Sequence, residues 1–474
     1  MMDEMKQKYN LVMIVPDQLR KDYLGCYGNR NVSTPNIDRL AADGIKFNNM
    51  YCAAPLCGPS RCSLATSTYF SEHNHRDYGS EIDPRVPNLV TSMKSNGYRT
   101  GMFGKNHLFT RSKLNEVWDE LDEVCLGNYD GIEGYDHSYS GFTLPKNHRF
   151  NITQKLTDEG IDFIRRNKEK PYLLWMNYQD PHPAFCCPPP YDTMFSPDDI
   201  EFSPAVKGYD KDRQPVRNEV FRIHSEMDRC SDDDLKNAIA HYMGQIKYVD
   251  DNVGRLVDEI HRSGKKTIIL FMSDHGELLG DYSLTHKNPT FYECLSHIPA
   301  IIVDADGKWK GLEYDGLAEE VDIVPTLLDM LGIVIPPTMV GKSMYQAIER
   351  RDFSGKDTIL CEAGGGGPTC KEPIPGLVLK APFIPTSLGP GAMIRKKNFK
   401  LSVYYDDRCE LYDLDSDPYE LDNLFDCPQY AAIQNCLTLE LAKRLIGVKV
   451  RDTGRIDWDN NAYPVDVRFE PLEN

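Results

Sequence analysis

Residues 11–18 read LVMIVPDQ. Five consecutive apolar residues closed by a proline mark a short strand covered on both faces, since a half-exposed strand would alternate. An acid and an amide, Asp17 and Gln18, follow at once. In open α/β sheets ligands bind beyond the carboxyl ends of the strands, so polar residues placed there are site candidates. The arrangement recurs three times. Arg99–Phe103 is followed by Lys105 and His107, Tyr172–Asn177 by Asp180 and His182, and Thr267–Met272 by Asp274 and His275. If these four strands lie side by side, the side chains converge on one rim of a sheet.

A single Asp after a strand is ordinarily a turn former or a helix cap; the recurrence carries the weight. Oxygen donors with one imidazole suit a hard divalent ion such as calcium, magnesium or manganese. Zinc would want a compact Cys/His cluster. His182 with Cys186 and Cys187 could imitate one, but Pro183 and Pro188–Pro190 make that stretch read as a rigid loop.

Outward from these strands, apolar runs alternate with helical patterns up to about residue 345, which predicts an α/β domain with a largely parallel sheet. Pro35 opens a helix that Gly44 follows. From Asp234 to His261, Leu235, Ile239, Tyr242, Ile246, Val249, Val253, Leu256 and Ile260 keep three- and four-residue spacing, and Gly264 closes the helix. Asp322–Leu331 reads as a further helix. The texture changes after Asp352: residues 362–392 carry Gly364–Gly367 and many prolines, Ala392–Tyr405 and Glu410–Leu414 look like antiparallel strands, and a helix spans Gln429–Leu445. The expected division is a catalytic α/β domain over 1–352 and a smaller α+β subdomain over 353–474.

The 474 residues carry 54 basic and 72 acidic side chains, a net charge of -18. Such a chain repels nucleic acid and anionic membranes, and a site for sulfate or phosphate must gather its own positive charge. No apolar stretch approaches the ~20 residues of a membrane span. Fourteen cysteines without regular spacing, behind a charged N-terminus, give the expectation of free thiols in a reducing cytoplasm.

Residues 55–67 read PLCGPSRCSLATS. Pro59 suits the first turn of a helix, which sets Cys57 at or just before a helix N-terminus, where partial positive charge and free N–H groups favour an anion. Arg61 lies about one turn on. A small buried cysteine at a helix start fits this local pattern equally well.

Several motifs together resemble the sulfatase family. Cys57-x-Pro59-Ser60-Arg61 resembles its formylglycine signature, in which an enzyme oxidises the cysteine to an aldehyde. Gly97 to His107 resembles the second signature. Ser273-Asp274-His275-Gly276-Glu277 with Lys287 and Phe291-Tyr292-Glu293 resembles the metal and leaving-group segment. Glu410 to Leu414 with Asp417-Pro418 and Asn423-Leu424 resembles the C-terminal subdomain. The resemblance runs from about residue 10 to 445. It implies an alkaline-phosphatase-like sheet and hydrolysis of a sulfuric ester by a hydrated formylglycine. One geminal hydroxyl attacks sulfur, and loss of a proton from the other then expels sulfate.

By the same resemblance Asp17, Gln18, Asp274 and His275 hold one divalent metal, most simply calcium. Arg61 and Lys105 hold the hydrate, His107 is the base of the second step, and His182 with Lys287 binds sulfate and assists the leaving oxygen. A formylglycine-generating enzyme is the implied transient partner, and a small-molecule or saccharide sulfate ester the substrate. Gln18 and His275, where many members have Asp and Asn, resemble choline-sulfatase-like and phosphonate-monoester-hydrolase-like members. This keeps phosphonate or phosphate esters open as substrates. A sulfatase-like binding protein with an unmodified Cys57 is the alternative from another class. Ser67 stands where the signature usually has glycine. Loops 69–86, 108–150, 184–232 and 362–392 are expected to shape specificity, with Tyr78, Tyr135, Asp136 and Tyr139 as candidates to face substrate.

Overall fold

A computed structural model of the chain describes residues 8–75, 81–123, 152–364, 389–405 and 407–450. Tyr78, Tyr135, Asp136 and Tyr139 lie outside them. Eight strands form the main sheet: β1 Asn10–Ile14, β2 Ile45–Tyr51, β3 Arg99–Gly104, β4 Glu120–Glu123, β5 Tyr172–Asn177, β6 Thr267–Met272, β7 His297–Val303 and β8 Leu312–Glu319. Their order is β4-β3-β5-β1-β6-β7-β2-β8. The block β4-β3-β5-β1-β6 is parallel throughout, while β7 runs antiparallel to both β6 and β2. The four strands singled out in the sequence are therefore consecutive neighbours, and their carboxyl ends share one rim.

Both faces of this block are covered, as continuous apolar strands require. Leu11, Met13, Leu173, Trp175, Ile268 and Leu270 point into one core layer. The alternate residues Val12, Ile14, Leu174, Met176, Ile269 and Phe271 point into the other. The second layer is closed by helices Pro35–Asp43, Ile152–Arg166 and Asp232–Arg262. The first is closed by helices Cys57–Thr66, Leu89–Ser95 and Ile323–Met330.

The long helix starts at Asp232, two residues before the expected Asp234. Ser231 caps it in a reciprocal box with Asp234, and Asp232, Asp233 and Asp234 fill the first turn against the helix dipole.

A second sheet, order β12-β11-β10-β9, is antiparallel. Its strands are β9 Ile359–Ala363, β10 Gly391–Lys396, β11 Phe399–Tyr404 and β12 Glu410–Asp413. The stretch expected as one strand over Ala392–Tyr405 is thus a hairpin, turning at Lys397, which takes a left-handed φ of 54°. The last helix, Ala431–Val450, extends five residues past the expected end. It packs Leu437 and Leu441 against Ile394 and Leu401 of this sheet. The cysteines among the described residues are free thiols, and no described helix is long and apolar enough to cross a membrane.

Candidate active site

The rim brings the other nine candidate residues to the neighbourhood of the Cys57 sulfur, Gln18 through Lys287 and Arg61 through Asp17 and Asp274. Cys57 is the first residue of helix Cys57–Thr66, wholly buried, as is every residue of that helix. Gly58 is required there: a Cβ on it would lie 2.8 Å from the His75 ring. Sγ of Cys57 stands where a formylglycine oxygen would stand. His275 Nε2 lies 3.2 Å from it, Lys105 Nζ 3.4 Å and Asp17 Oδ1 3.7 Å. His107, His182 and Lys287 also interact electrostatically with this sulfur. Burial alone would push the Cys57 thiol up; Lys105, Lys287 and His275, with a hydrogen bond from His107, outweigh it and pull the thiol well below its ordinary range. Here an acidic protein has gathered its local cations.

Beside the sulfur, one ligand atom from each of Asp17, Cys57, Asp274 and His275 lies within 4.8 Å of the others. Asp17 and Asp274 are completely buried. Burial, followed by the charge of Asp17, raises the Asp274 carboxyl. Two carboxylates this close need a cation between them. His275 Nδ1 lies 2.8 Å from the Gly276 carbonyl, which holds a proton on Nδ1 and turns Nε2 toward the cluster, where loss of its proton would free it to ligate a metal. The donor set fits a divalent ion. Gln18 is held at a left-handed φ of 65°, with its side-chain oxygen on Lys287 and its amide nitrogen on Glu277. Burial pushes Glu277 up to about 7.

Arg61 lies behind the cluster. Its Nη2 reaches Asp17 Oδ2 at 3.2 Å and Asp274 Oδ2 at 2.9 Å, and Lys105 Nζ takes Asp17 Oδ2 at 2.6 Å. Asn177, the last residue of β5, accepts from Arg61 Nη1 at 2.6 Å. Asn177 and Glu320 are residues at the site that sequence reasoning missed, each a lone polar residue without a spacing signal, and Glu277 was read only as part of its motif, without a role of its own. Asp180 is the opposite case. It follows β5 as expected but is turned from the sulfur, accepting from Thr153 Oγ1 at 2.6 Å and Gln245 Nε2 at 3.0 Å. Burial raises it to about 6.

Beneath the helix, the Ser60 hydroxyl lies 2.7 Å from the Asp274 carbonyl and 2.7 Å from Glu320 Oε1. A hydroxyl has one proton and the carbonyl can only accept, so a protonated Glu320 completes the pair by donating to Ser60. Burial accordingly pushes Glu320 up to about 8. The folded state then keeps a proton that the unfolded state releases above its ordinary 4.5, so stability falls as pH rises from about 4.5 to about 8. Glu320→Gln preserves the shape and both partners without ionising. Thermal midpoints should match wild type near pH 5 and favour the variant increasingly toward about pH 9. A constant difference across that range would contradict a neutral Glu320.

Ser67 ends the helix at φ 53°, the left-handed conformation for which glycine is the usual choice. Its hydroxyl donates to the Val321 carbonyl at 2.6 Å and accepts from Gly341 N at 3.1 Å, which offsets the strain.

A buried cluster of potential metal ligands beside a cysteine at a helix start, on the carboxyl rim of a mostly parallel sheet, is an arrangement of the alkaline-phosphatase-like class. The sulfatase family model matches residues 9–333, and the model described as N-sulphoglucosamine sulphohydrolase, C-terminal, matches residues 387–446. The chain belongs to the sulfatase family. An arylsulfatase of Clostridium perfringens is 29% identical over 501 residues, with 97% of this chain and 98% of that protein covered. Among solved structures, the phosphonate monoester hydrolase of Agrobacterium radiobacter superposes with a TM-score of 0.74 at 23% identity, covering 93% of this chain and 95% of its own. A protein in complex with its substrate D-glucosamine-2-N,6-O-disulfate superposes with a TM-score of 0.72 at 22% identity, covering 95% and 100%.

Proposed function

We propose that this enzyme cleaves an organic sulfate monoester to alcohol and sulfate at residue 57, matured from cysteine to formylglycine. The observation that carries the reading is the convergence of Lys105, His107, His182 and Lys287 on the Cys57 sulfur beside buried Asp17, Asp274 and His275. The matured residue supplies an oxygen nucleophile in place of sulfur. A divalent cation held by Asp17, Asp274 and His275, with Gln18 beside them, supplies Lewis-acid polarisation; hard oxygen donors favour calcium, with magnesium or manganese as alternatives.

The protein's own groups perform the rest. Lys105 Nζ and Arg61 hold the oxygen on residue 57 and fix Asp17. His107 takes the proton whose loss regenerates the aldehyde. Lys287 Nζ and His182 Nε2 bind the sulfate oxygens and steady the departing alkoxide. Burial, then Lys287 and Lys105, lowers His182 to about 4 in the substrate-free protein; because Nδ1 faces the Pro183 carbonyl, donation from Nε2 requires the doubly protonated ring, which the negative charge of a bound sulfate ester favours. Such preorganised donors are each worth about 10²–10³ in rate. Sulfated sugars and phenols, the substrates named for the relatives, are the first classes to test.

Turnover of 4-nitrophenyl sulfate should exceed that of the matching phosphate and phosphonate esters. A phosphonate preference by orders of magnitude would overturn the sulfate reading in favour of a phosphonate ester hydrolase, the second reading that Gln18 and His275 support. Adding calcium to chelator-treated protein should raise the thermal midpoint, with about 2.7 kcal/mol of stabilisation at a hundredfold excess over Kd. Asp274→Asn should lose most of that rise; an unchanged response would remove Asp274 from the metal site.

A further inference from the structure

Three polar side chains of helix Asp232–Arg262, at i, i+3 and i+6, are buried: Tyr242, Gln245 and Tyr248. Each grips a segment outside its own helix. The Tyr242 hydroxyl donates to the Gln18 carbonyl at 2.8 Å and accepts from Arg20 N at 2.9 Å, holding the turn after β1. Tyr248 accepts from Gln154 N at 2.9 Å, at the start of helix Ile152–Arg166. Gln245, between them, holds the turn after β5.

This turn carries His182. Gln245 Nε2 lies 3.0 Å from Asp180 Oδ1, 3.2 Å from the Ala184 carbonyl and 3.4 Å from the Cys186 carbonyl. All three are acceptors, so the amide orientation is fixed, with nitrogen toward the turn. One group on a 31-residue helix thus ties the chain both before and after His182. Thr153 holds only the leading side, through the other oxygen of Asp180. Within the turn, His182 N donates to the Gln179 carbonyl at 2.9 Å, and Nδ1 is engaged by the Pro183 carbonyl, which leaves Nε2 to face the sulfur. A ring held mainly through its own turn is aimed only as well as the turn is fixed, and small misplacements of a reacting group carry large rate penalties.

We propose that Gln245 is a positioning residue for His182, holding the Asp180–Cys186 turn so that Nε2 meets the departing oxygen of the ester. The inference rests on the leaving-group role proposed above for His182, and the two fail in different ways. If Gln245 acts through His182, its loss costs most where the leaving alcohol is a poor one, because only then does the departing oxygen need help.

The experiment measures kcat and KM of matured wild type, Gln245→Leu, His182→Ala and the double variant. The substrates are 4-nitrophenyl sulfate, phenyl sulfate and a sugar 6-sulfate. Gln245→Leu should lower kcat on the order of 10²-fold for phenyl and sugar sulfates and about tenfold or less for 4-nitrophenyl sulfate. Gln245→Leu should add little in the His182→Ala background, for turnover and for inhibition by inorganic sulfate alike. Gln245→Glu keeps the volume while replacing the donor by an acceptor, and should show the same pattern if the leucine variant does not fold. A loss equal for all three esters, or one additive with His182→Ala, overturns the positioning role. Leaving-group independence of His182→Ala itself overturns the role of His182, and this inference with it.

Discussion

Cys57→Ala is expected to abolish ester hydrolysis, with kcat falling on the order of 10⁵-fold or more, as when an acting nucleophile is removed elsewhere. The side chain is small and buried, so the variant should fold with a thermal midpoint close to wild type. Cys57→Ser should be nearly as inactive: it supplies an oxygen but not a carbon that releases sulfate by breaking its own C–O bond. The paired measurement is the mass of the peptide holding residue 57. Wild type co-expressed with a maturing enzyme should be lighter by about 18 Da than the unmodified peptide, the difference between thiol and aldehyde. Retained turnover in Cys57→Ala would sink the proposed nucleophile. An unmodified mass together with full activity would move the chemistry to the thiol.

Arg61→Leu should have the second largest effect, on stability as well as rate. The guanidinium is 1% exposed and pairs with both Asp17 and Asp274 while Asn177 accepts from its other arm. Removing it strands the buried Asp274 carboxylate and leaves Asp17 to Lys105 alone, a loss of about 3–5 kcal/mol in protein freed of divalent ions. A bound cation compensates the same charges, so the deficit should shrink as calcium is added. In the metal-loaded enzyme kcat should still fall at least about 10²-fold, since a fixed donor behind residue 57 is gone. Denaturant unfolding with and without calcium checks this. A deficit below about 1 kcal/mol in metal-free protein, within the range of ordinary surface changes, would contradict the charge-compensating role.

The parts of this protein legible in sequence are those where one physical demand dominates. β1, β5 and β6 are covered on both faces and therefore read as unbroken apolar runs, and the residues after them stand out by contrast. β2 and β8 were not anticipated because IKFNNMY and LEYDGLAE mix polar with apolar residues at the less covered side of the sheet. β4 is four residues, ELDE, held by pairing with β3 rather than by its own composition. The site follows the same division. Residues at strand ends announce themselves, and a family signature marks Cys57 and Arg61. Asn177, Glu277 and Gln245 acquire meaning only through partners more than sixty positions or a whole domain layer away, which no local pattern records. Asp180 shows the converse: the correct position, with its direction decided by Thr153 and Gln245.

If Cys57 is matured to formylglycine as proposed, its complete burial has a consequence for how active enzyme is made. Within the packed helix Cys57–Thr66 every residue is closed off from solvent. An oxidising catalyst must bring its own site to the sulfur, and it can do so only while this segment is still extended. Maturation and folding therefore compete for the same stretch of nascent chain, and the first to finish excludes the other. The fraction of active molecules is set by that race: slower folding or earlier encounter with the oxidising enzyme raises it, and no later treatment of the folded, unmodified protein recovers it without unfolding.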